Sequence, residues 1–384
     1  MSLFGGSIGL GFRAGRNTTL PTNGIMLVVD STGVVSGSLS AGDYTSYDPI
    51  IRDILFSDPS TARTPAAART LALASARLNK TACVGNAETV VFYSTAATSG
   101  DLTKACTFLG STYTPLVEVF GFDANAAETL AGTWKTKSDT DKIYIDWGDD
   151  TSNSYAGTSD QAWTHTYATA NHRCTVKAVD GSVLTSIYQS NTSSHLGGAL
   201  SFGSGVTYIN LYGHLNTFNG TLVFPAGVTY IKIAGHSNAF NGPLVFPDGV
   251  TTIILYGNSN AFNGTLVFPA GVTYIDLNGH SNTFTGTLVF PASATLIILN
   301  GNLNAFNGYT RRTPENGQRY FYINGNSMSL SSSDVDNIII DSALATWENE
   351  KVMIITGNAP ARTSASDTAY NSLVAQGVTL TLNT

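Results

Sequence analysis

Residues 271–292, "GVTYIDLNGHSNTFTGTLVFPA", decide the fold, because the chain repeats them with small changes. Residues 205–226 read "GVTYINLYGHLNTFNGTLVFPA", 227–248 "GVTYIKIAGHSNAFNGPLVFPD" and 249–270 "GVTTIILYGNSNAFNGTLVFPA". The period is a strict 22 residues, so Gly213, Gly235, Gly257, Gly279 and Gly301 share one column. Asn216, Asn238, Asn260, Asn282 and Asn304 share a second, and Phe218, Phe240, Phe262, Phe284 and Phe306 a third. A fixed period of this size specifies a solenoid, in which each unit buries its apolar face only against its neighbours.

Each unit splits in two. "VTYIDL" alternates, so Ile275 and Leu277 point inward and the segment forms a parallel strand with its copies. "TLVFP" reads as a second extended stretch with Leu288 and Phe290 inward. Gly, Asn and Pro punctuation leaves no room for a helix between them. The Phe column is expected to stack, and the Asn column to form an amide ladder that satisfies buried main-chain groups.

Composition narrows the function classes. Only 12% of the 384 residues are charged, against roughly 25% in ordinary globular chains. With a net charge of −7 and no basic stretch, counterion release cannot drive nucleic-acid binding. No apolar run is long enough to cross a bilayer, so no membrane insertion is expected. The opening "MSLFGGSIGLGFRAGRN" lacks the pattern of a secretory signal and reads as a Gly-rich anchoring arm, residues 1–20. Cys83, Cys106 and Cys174 are an odd, scattered set without metal or redox spacing and are expected to be free thiols.

Residues 21–112 read as an N-terminal α/β domain. "GIMLVVDSTG" and "ETVVFYS" are strand candidates. "TPAAARTLALASARLNK" is a helix with Thr64 as N-cap and Pro65 in its first position, and "YDPIIRDILF" is a shorter helix. Asp30, Ser31 and Thr32 punctuate a strand end. Between 113 and 181 the texture changes to short strands, with Ile143, Ile145 and Trp147, then Cys174, Val176 and Ala178, alternating inward. The elements Trp147-Gly148-Asp149-Asp150-Thr151 and His165-Thr166-Tyr167 resemble the hallmarks of the PKD domain, with Asp150 in place of that family's second glycine. The resemblance implies an immunoglobulin-like β-sandwich acting as a spacer or adhesion module.

The repeats begin in eroded form near Val183 and occupy 182–309. They resemble degenerate bacterial and phage leucine-rich repeats, with V-x-x-I-x-L standing for L-x-x-L-x-L. Their Asn lies five places after the last strand Leu rather than three, which leaves leucine-rich repeat and parallel β-helix both open. Residues 310–384 carry longer units, each a strand, an Asn turn and a helix. The first helix is capped near Ser333, and Gly377 takes the C′ position of the second. These units form a cap over the open end. The fold expected is therefore mainly β and multidomain: an N-terminal α/β domain, a PKD-like β-sandwich, a 22-residue-repeat leucine-rich-repeat-like β-solenoid and a helix-containing C-terminal cap.

Chemistry is sparse. His214, His236 and His280 share a column with Asn258 and Asn302. Parallel stacking sets such imidazoles side by side rather than around one ion, so a hydrogen-bonded loop ladder is expected, with no metal and no cofactor. Asp146, Asp149 and Asp150 are read as turn caps rather than calcium ligands. No hydrolase, phosphate-loop or dinucleotide motif is present. The clear repeats carry only Lys232, Asp248 and Asp276 as charges, too few for paired-carboxylate hydrolysis, so the chain is not expected to be an enzyme.

Variation inside the repeat is more informative. Inward positions barely change, whereas outward ones differ: Tyr208, Tyr230, Thr252, Tyr274 and Leu296 in one row. Asn210, Lys232, Ile254, Asp276 and Ile298 form the next, and Tyr212, Ala234, Tyr256, Asn278 and Asn300 the third. Tyr and Asn suit broad contact with carbohydrate or protein. The binding-face candidates are Tyr208, Tyr230, Tyr274, Asn210, Lys232, Asp276, Tyr212, Tyr256 and Asn278. The PKD-like and leucine-rich-repeat-like resemblances, with no secretion signal, imply a bacteriophage virion protein, a tail or head fibre or a decoration protein, exposed on the particle after assembly in host cytoplasm. Its partners would be other virion proteins through the N-terminal region, a host-surface glycan or protein through the repeat face, and further copies of itself. A bacterial cell-surface adhesin is the alternative, and a tailspike-type polysaccharide depolymerase ranks third.

Overall fold

The computed structural model describes residues 25–29, 44–45, 47–75, 77–83, 86–108, 114–149, 151–189 and 193–383. The anchoring arm, Asp30, Ser31, Thr32 and Asp150 lie outside the described residues. The chain divides into two compact units, one of residues 1–116 with 144–154, the other of 117–143 with 155–384.

In the first unit the strand Asn86–Tyr93 lies between Ile25–Val29 and Asn79–Cys83, antiparallel to both. The helix Pro49–Leu55 starts where the Asp48 carboxylate accepts from the N–H groups of Ile50 and Ile51, at 2.9 and 3.0 Å. The helix Pro65–Ala74 starts at Thr64, whose Oγ1 accepts from the Ala67 N–H at 3.3 Å. Ala68 and Ala72, four apart on that helix, pack with Ile51, Ile54, Leu55, Phe56 and Phe92. This helix stops at Ala74, and the "LNK" expected to continue it opens into the Asn79–Cys83 strand. A third helix, Ser99–Phe108, packs Leu102, Ala105 and Cys106 with Val91. Cys106 is disulfide-bonded, whereas the buried Cys174 is in no disulfide, which corrects the expectation of three free thiols.

Around Trp147 the turn is built from carboxylates used as caps. Asp146 Oδ1 accepts from the Gly148 N–H at 3.0 Å, and Asp149 Oδ1 from the Thr151 N–H and hydroxyl at 3.2 and 2.6 Å. Gly148 sits at φ 83°, which a side chain would oppose. Trp147 donates its indole N–H to Asn153 Oδ1 at 2.6 Å. Ile143, Ile145, Trp147, Cys174, Val176 and Ala178 are all buried as read from the sequence, but the expected alternation holds only over Cys174–Ala178, since Tyr144 is buried too.

The second unit is a β-solenoid of about six turns built on the 22-residue repeat. Its front sheet stacks the parallel strands Leu184–Gln189, Tyr208–Tyr212, Tyr230–Ala234, Thr252–Tyr256, Tyr274–Asp276, Leu296–Asn300, Gln318–Gly325, Trp347–Gly357 and Thr379–Leu382. Before them come the antiparallel strands Thr129–Thr136 and Gln161–Thr166. The back sheet stacks Leu196–Ala199, Thr217–Gly220, Ala239–Pro243, Ala261–Thr265, Thr283–Leu288 and Ala305–Tyr309. Val117–Ala124 adds antiparallel to its first strand. Both sheets thus run from antiparallel strands into parallel repeats without a break.

The second strand of each repeat begins earlier than expected, at the Phe column rather than at "TLVFP". Phe218, Phe240, Phe262 and Phe284 turn inward and stack at 6.1–6.3 Å between ring centroids. The chain then bends at Gly220, Gly242, Gly264 and Gly286, all with φ between 82 and 85°. The stretch after the bend still buries Leu288 and Phe290, as expected. It forms a second aromatic stack, Phe202–Phe224–Phe246–Phe268–Phe290, at 5.9–6.3 Å.

The Asn column joins one coil to the next. Asn238, Asn260, Asn282 and Asn304 are fully buried, and each Oδ1 accepts from the N–H of a Phe one coil earlier. Asn216 does the same for Leu196 and also accepts from the Ser194 hydroxyl. The neighbouring Gly column is required by this packing: a Cβ on Gly235 would come within 2.6 Å of the Gly213 carbonyl oxygen and 2.9 Å of Asn216 Cβ.

After Tyr309 the back strand gives way to helices Ser332–Ser342 and Asp367–Ala375. The first is capped by Ser331, two residues before the expected Ser333, in a reciprocal capping box with Asp334. Asp334 also accepts from the Tyr309 N–H at 3.1 Å, and Asp341 from the Tyr309 hydroxyl at 3.0 Å. The helix is thereby tied to the last back strand. Gly377 adopts φ 78° after the second helix, the C′ role expected of it. Among the described residues no helix is long and apolar enough to cross a membrane.

Candidate functional site

The outward face of the front sheet collects the variable rows. Main-chain pairing sets Tyr208, Tyr230, Thr252, Tyr274, Leu296 and Tyr320 side by side on successive strands. Asn210, Lys232, Ile254, Asp276, Ile298 and Tyr322 follow two residues on. In the third row Tyr212, Ala234 and Tyr256 are in register, as are Asn300 and Asn324. Eight of the nine candidate residues therefore share one face of one sheet, and Asn278, two residues past the end of the strand Tyr274–Asp276, is linked to the third row by its side-chain hydrogen bond with Asn300. Ala234 and Leu296 are buried and present little surface.

The face is organised by rings and amides. Tyr208 and Tyr230 stack at 4.6 Å and 11°. The Lys232 ammonium lies 4.6 Å from the Tyr212 ring centroid, a cation–π contact. Tyr212 and its neighbour His214 share a 2.7 Å hydroxyl–Nε2 hydrogen bond, and the His214 and His236 rings stack at 5.1 Å. Tyr256 closes this group with a 3.1 Å contact from its hydroxyl to His236 Nδ1. The histidine column is also a main-chain ladder, since the His236 N–H donates to the His214 carbonyl and the Asn258 N–H to that of His236. At the other end, Asn300 Nδ2 donates to Asn278 Oδ1 at 3.2 Å and Asn324 Nδ2 to Asn300 Oδ1 at 3.0 Å. No group of three or more His, Cys, Asp or Glu is arranged to hold a metal among the described residues.

Within the clear repeats the face carries only Lys232 and Asp276 as charges, and the Arg319–Glu350 ion pair lies close enough to act on Tyr274. Asp276 is half-buried in register with Ile254 and Ile298, and its Oδ1 is buried without a hydrogen-bond partner. That burial pushes its carboxyl up to about 6, offset in part by the Asn278 main-chain N–H. Burial also raises the Tyr274 hydroxyl, and the Asp276 charge adds to the rise. Tyr230 is raised by burial first, then by Tyr208 and Tyr274. Asn210 Oδ1 is a second buried acceptor without a partner.

Sequence reasoning missed Tyr320, Tyr322 and Asn324, which extend the three rows by one strand. The signal was present: "RYFYING" alternates in the phase of "TYIDLNG". It also missed an exposed apolar column on the repeat's other side, where Val223, Val245 and Val267 are 72–76% exposed.

Fold and face together define a class: a two-sheet β-solenoid with an invariant interior and one copy-by-copy variable surface. Comparison with protein-family models, curated proteins and solved structures found no match, so the role of this surface has to be read from its own chemistry.

Proposed function

We propose that the chain is a surface-binding structural protein of a bacteriophage particle. On this reading its N-terminal α/β region anchors it to other virion proteins, a PKD-like segment acts as spacer, and the leucine-rich-repeat-like solenoid meets the host surface. The observation that carries the binding role is the contrast between constant and variable positions. Phe and Asn columns recur because interior packing demands them, whereas Tyr208, Lys232, Tyr256 and Asp276 stand on the outward face, where the residue changes from coil to coil. Tyrosine and asparagine on a flat, charge-poor sheet supply contact area at low conformational cost. The attribution to a phage rests on the PKD-like and repeat resemblances alone, an argument from architecture.

The test has two parts. Immunogold labelling of purified particles should decorate the virion, and the labelled full chain should adhere to bacterial cells. Failure of the first removes the virion assignment; failure of the second removes the binding role. One observation favours the alternative of a bacterial cell-surface adhesin: the disulfide at Cys106 suits an oxidising, extracellular setting. That reading predicts label on the producing cell itself.

A further inference from the structure

Val223, Val245, Val267 and Val289 stand one period apart on successive coils, each after a buried leucine, and all four are exposed, the last least. A side chain mostly in water is not fixed by interior packing, yet this column does not change. Recent copying of the repeat does not account for it. The same coils exchange Tyr230 for Thr252 and Lys232 for Ile254 on the front face, so exposed letters have diverged. Strand preference does not account for it either. Threonine suits an exposed extended chain as well as valine does, and Thr221, Thr265 and Thr287 lie two residues away, but none enters the column.

An unchanging exposed column asks for a partner that meets every coil in the same way, at steps of about 4.8 Å. A second solenoid of this chain has that spacing and an identical valine column to offer. The surroundings suit such a pairing. Residues 217–225, 239–247, 261–269 and 283–291 contain no charged side chain. Where identical surfaces meet, a charge faces its own copy or a near neighbour, and like charges repel. The front face, with Lys232 and Asp276, lacks this property. A lipid surface would be met by basic and tryptophan side chains, and these four segments hold neither. Eight residue steps by four layers cover about 26 by 19 Å, or about 500 Å² on each copy. The pair then buries about 1,000 Å², the lower bound for a specific interface, so the association is expected to be reversible.

We infer that the stripe Val223–Val245–Val267–Val289 is a self-association surface, on which a second copy of this chain lays its own valine column coil against coil. The pairing does not depend on what the front sheet binds.

The test is sedimentation velocity of the full chain over about a hundredfold range of concentration around micromolar. The wild type should pass from monomer to a larger species as concentration rises. Val245→Glu should weaken that association about tenfold or more without lowering the melting temperature. Val245→Thr, which keeps the shape and adds a hydroxyl, should weaken it in the same direction and covers the case in which a charge disturbs the fold. Mixing Val245→Glu with Val245→Lys should restore association if the two solenoids run parallel, and mixing it with Val267→Lys if they run antiparallel. A wild type that stays monomeric throughout overturns the inference, and its cosedimentation with phosphatidylcholine vesicles would assign the stripe to lipid instead. Association unchanged in both Val245→Glu and Val245→Thr removes the stripe from the interface. Loss in the variants with rescue in neither mixture overturns the second copy as the stripe's occupant.

Discussion

Asn260 Oδ1 accepts the main-chain N–H of Phe240, one full coil earlier in the chain, across 3.2 Å in a fully buried environment. One amide side chain thus does for the turn what a sheet partner does for a strand. It links two coils beside the main-chain bond from the Asn258 N–H to the His236 carbonyl, and the same bond recurs at Asn238, Asn282 and Asn304.

Replacing Asn260 by Ala leaves the Phe240 N–H buried and unpaired. Such orphaned groups cost roughly 1–3 kcal/mol, so Asn260→Ala should lower the urea midpoint by a corresponding amount. Amide exchange at Phe240 should accelerate more than at Phe284, whose Asn304 partner is untouched. Equal exchange at the two positions would count against the ladder.

Phe262 and Val267 lie five residues apart in one coil, yet their consequences should diverge. Phe262 is fully buried between the rings of Phe240 and Phe284, and truncation to Ala should cost roughly 3–5 kcal/mol. Val267 is 72% exposed, and Val267→Ala should stay within about 0.5 kcal/mol. Thermal unfolding of the two variants checks the contrast.

Asp276 should make the protein more stable in mild acid. Its carboxyl is raised in the folded chain from 3.8 to about 6, so the folded state binds the extra proton between those values. The associated stabilisation is fully present below about pH 4 and is lost as pH rises through 6. At about 1.4 kcal/mol per unit the shift amounts to roughly 3 kcal/mol. Denaturation midpoints at pH 7 and pH 4.5 should show a gain in acid for the wild type that is smaller in Asp276→Asn. Parallel pH profiles would remove Asp276 as the cause.

Asp341 fastens the helical cap. It is buried and accepts from the Tyr309 hydroxyl, the Arg311 Nε and the Arg312 N–H at 3.0, 2.6 and 2.8 Å. The half-exposed Arg311 returns to water when Asp341 is lost, but the Tyr309 hydroxyl and the Arg312 N–H lose their acceptor, at roughly 1–3 kcal/mol for each group left buried. Asp341→Ala should therefore destabilise the chain and speed amide exchange along Ala305–Tyr309. Unchanged exchange there would show that the cap does not guard that edge.

The repeat made much of this fold legible. A fixed spacing of Asn216 and Phe218 with their copies implies stacking, and the inward alternation of Ile275 and Leu277 implies a strand. The second strand was misplaced because Phe-Asn-Gly does not alternate like a strand. Its inward Phe is followed by a glycine at positive φ, a bend that hydropathy cannot register. The capping residue was missed by two positions because "SLSSSD" offers several serines, and only the reciprocal bond with Asp334 selects Ser331. At the candidate site the participating residues were readable from their failure to repeat. The side-chain contacts between rows, such as the Lys232 ammonium over the Tyr212 ring, were not, since they depend on side-chain directions that the period does not fix.

The Asn–Phe bond has one more implication, for heredity. Because the junctions between the clear repeats use the same atoms, unequal recombination between near-identical 22-residue segments adds or removes whole coils, about 5 Å each, without creating a new kind of joint. The outward letters travel with the coil that carries them. A lineage bearing this gene can therefore reshuffle the letters of the outward face by exchanging segments, while the interior that keeps it folded is inherited unchanged.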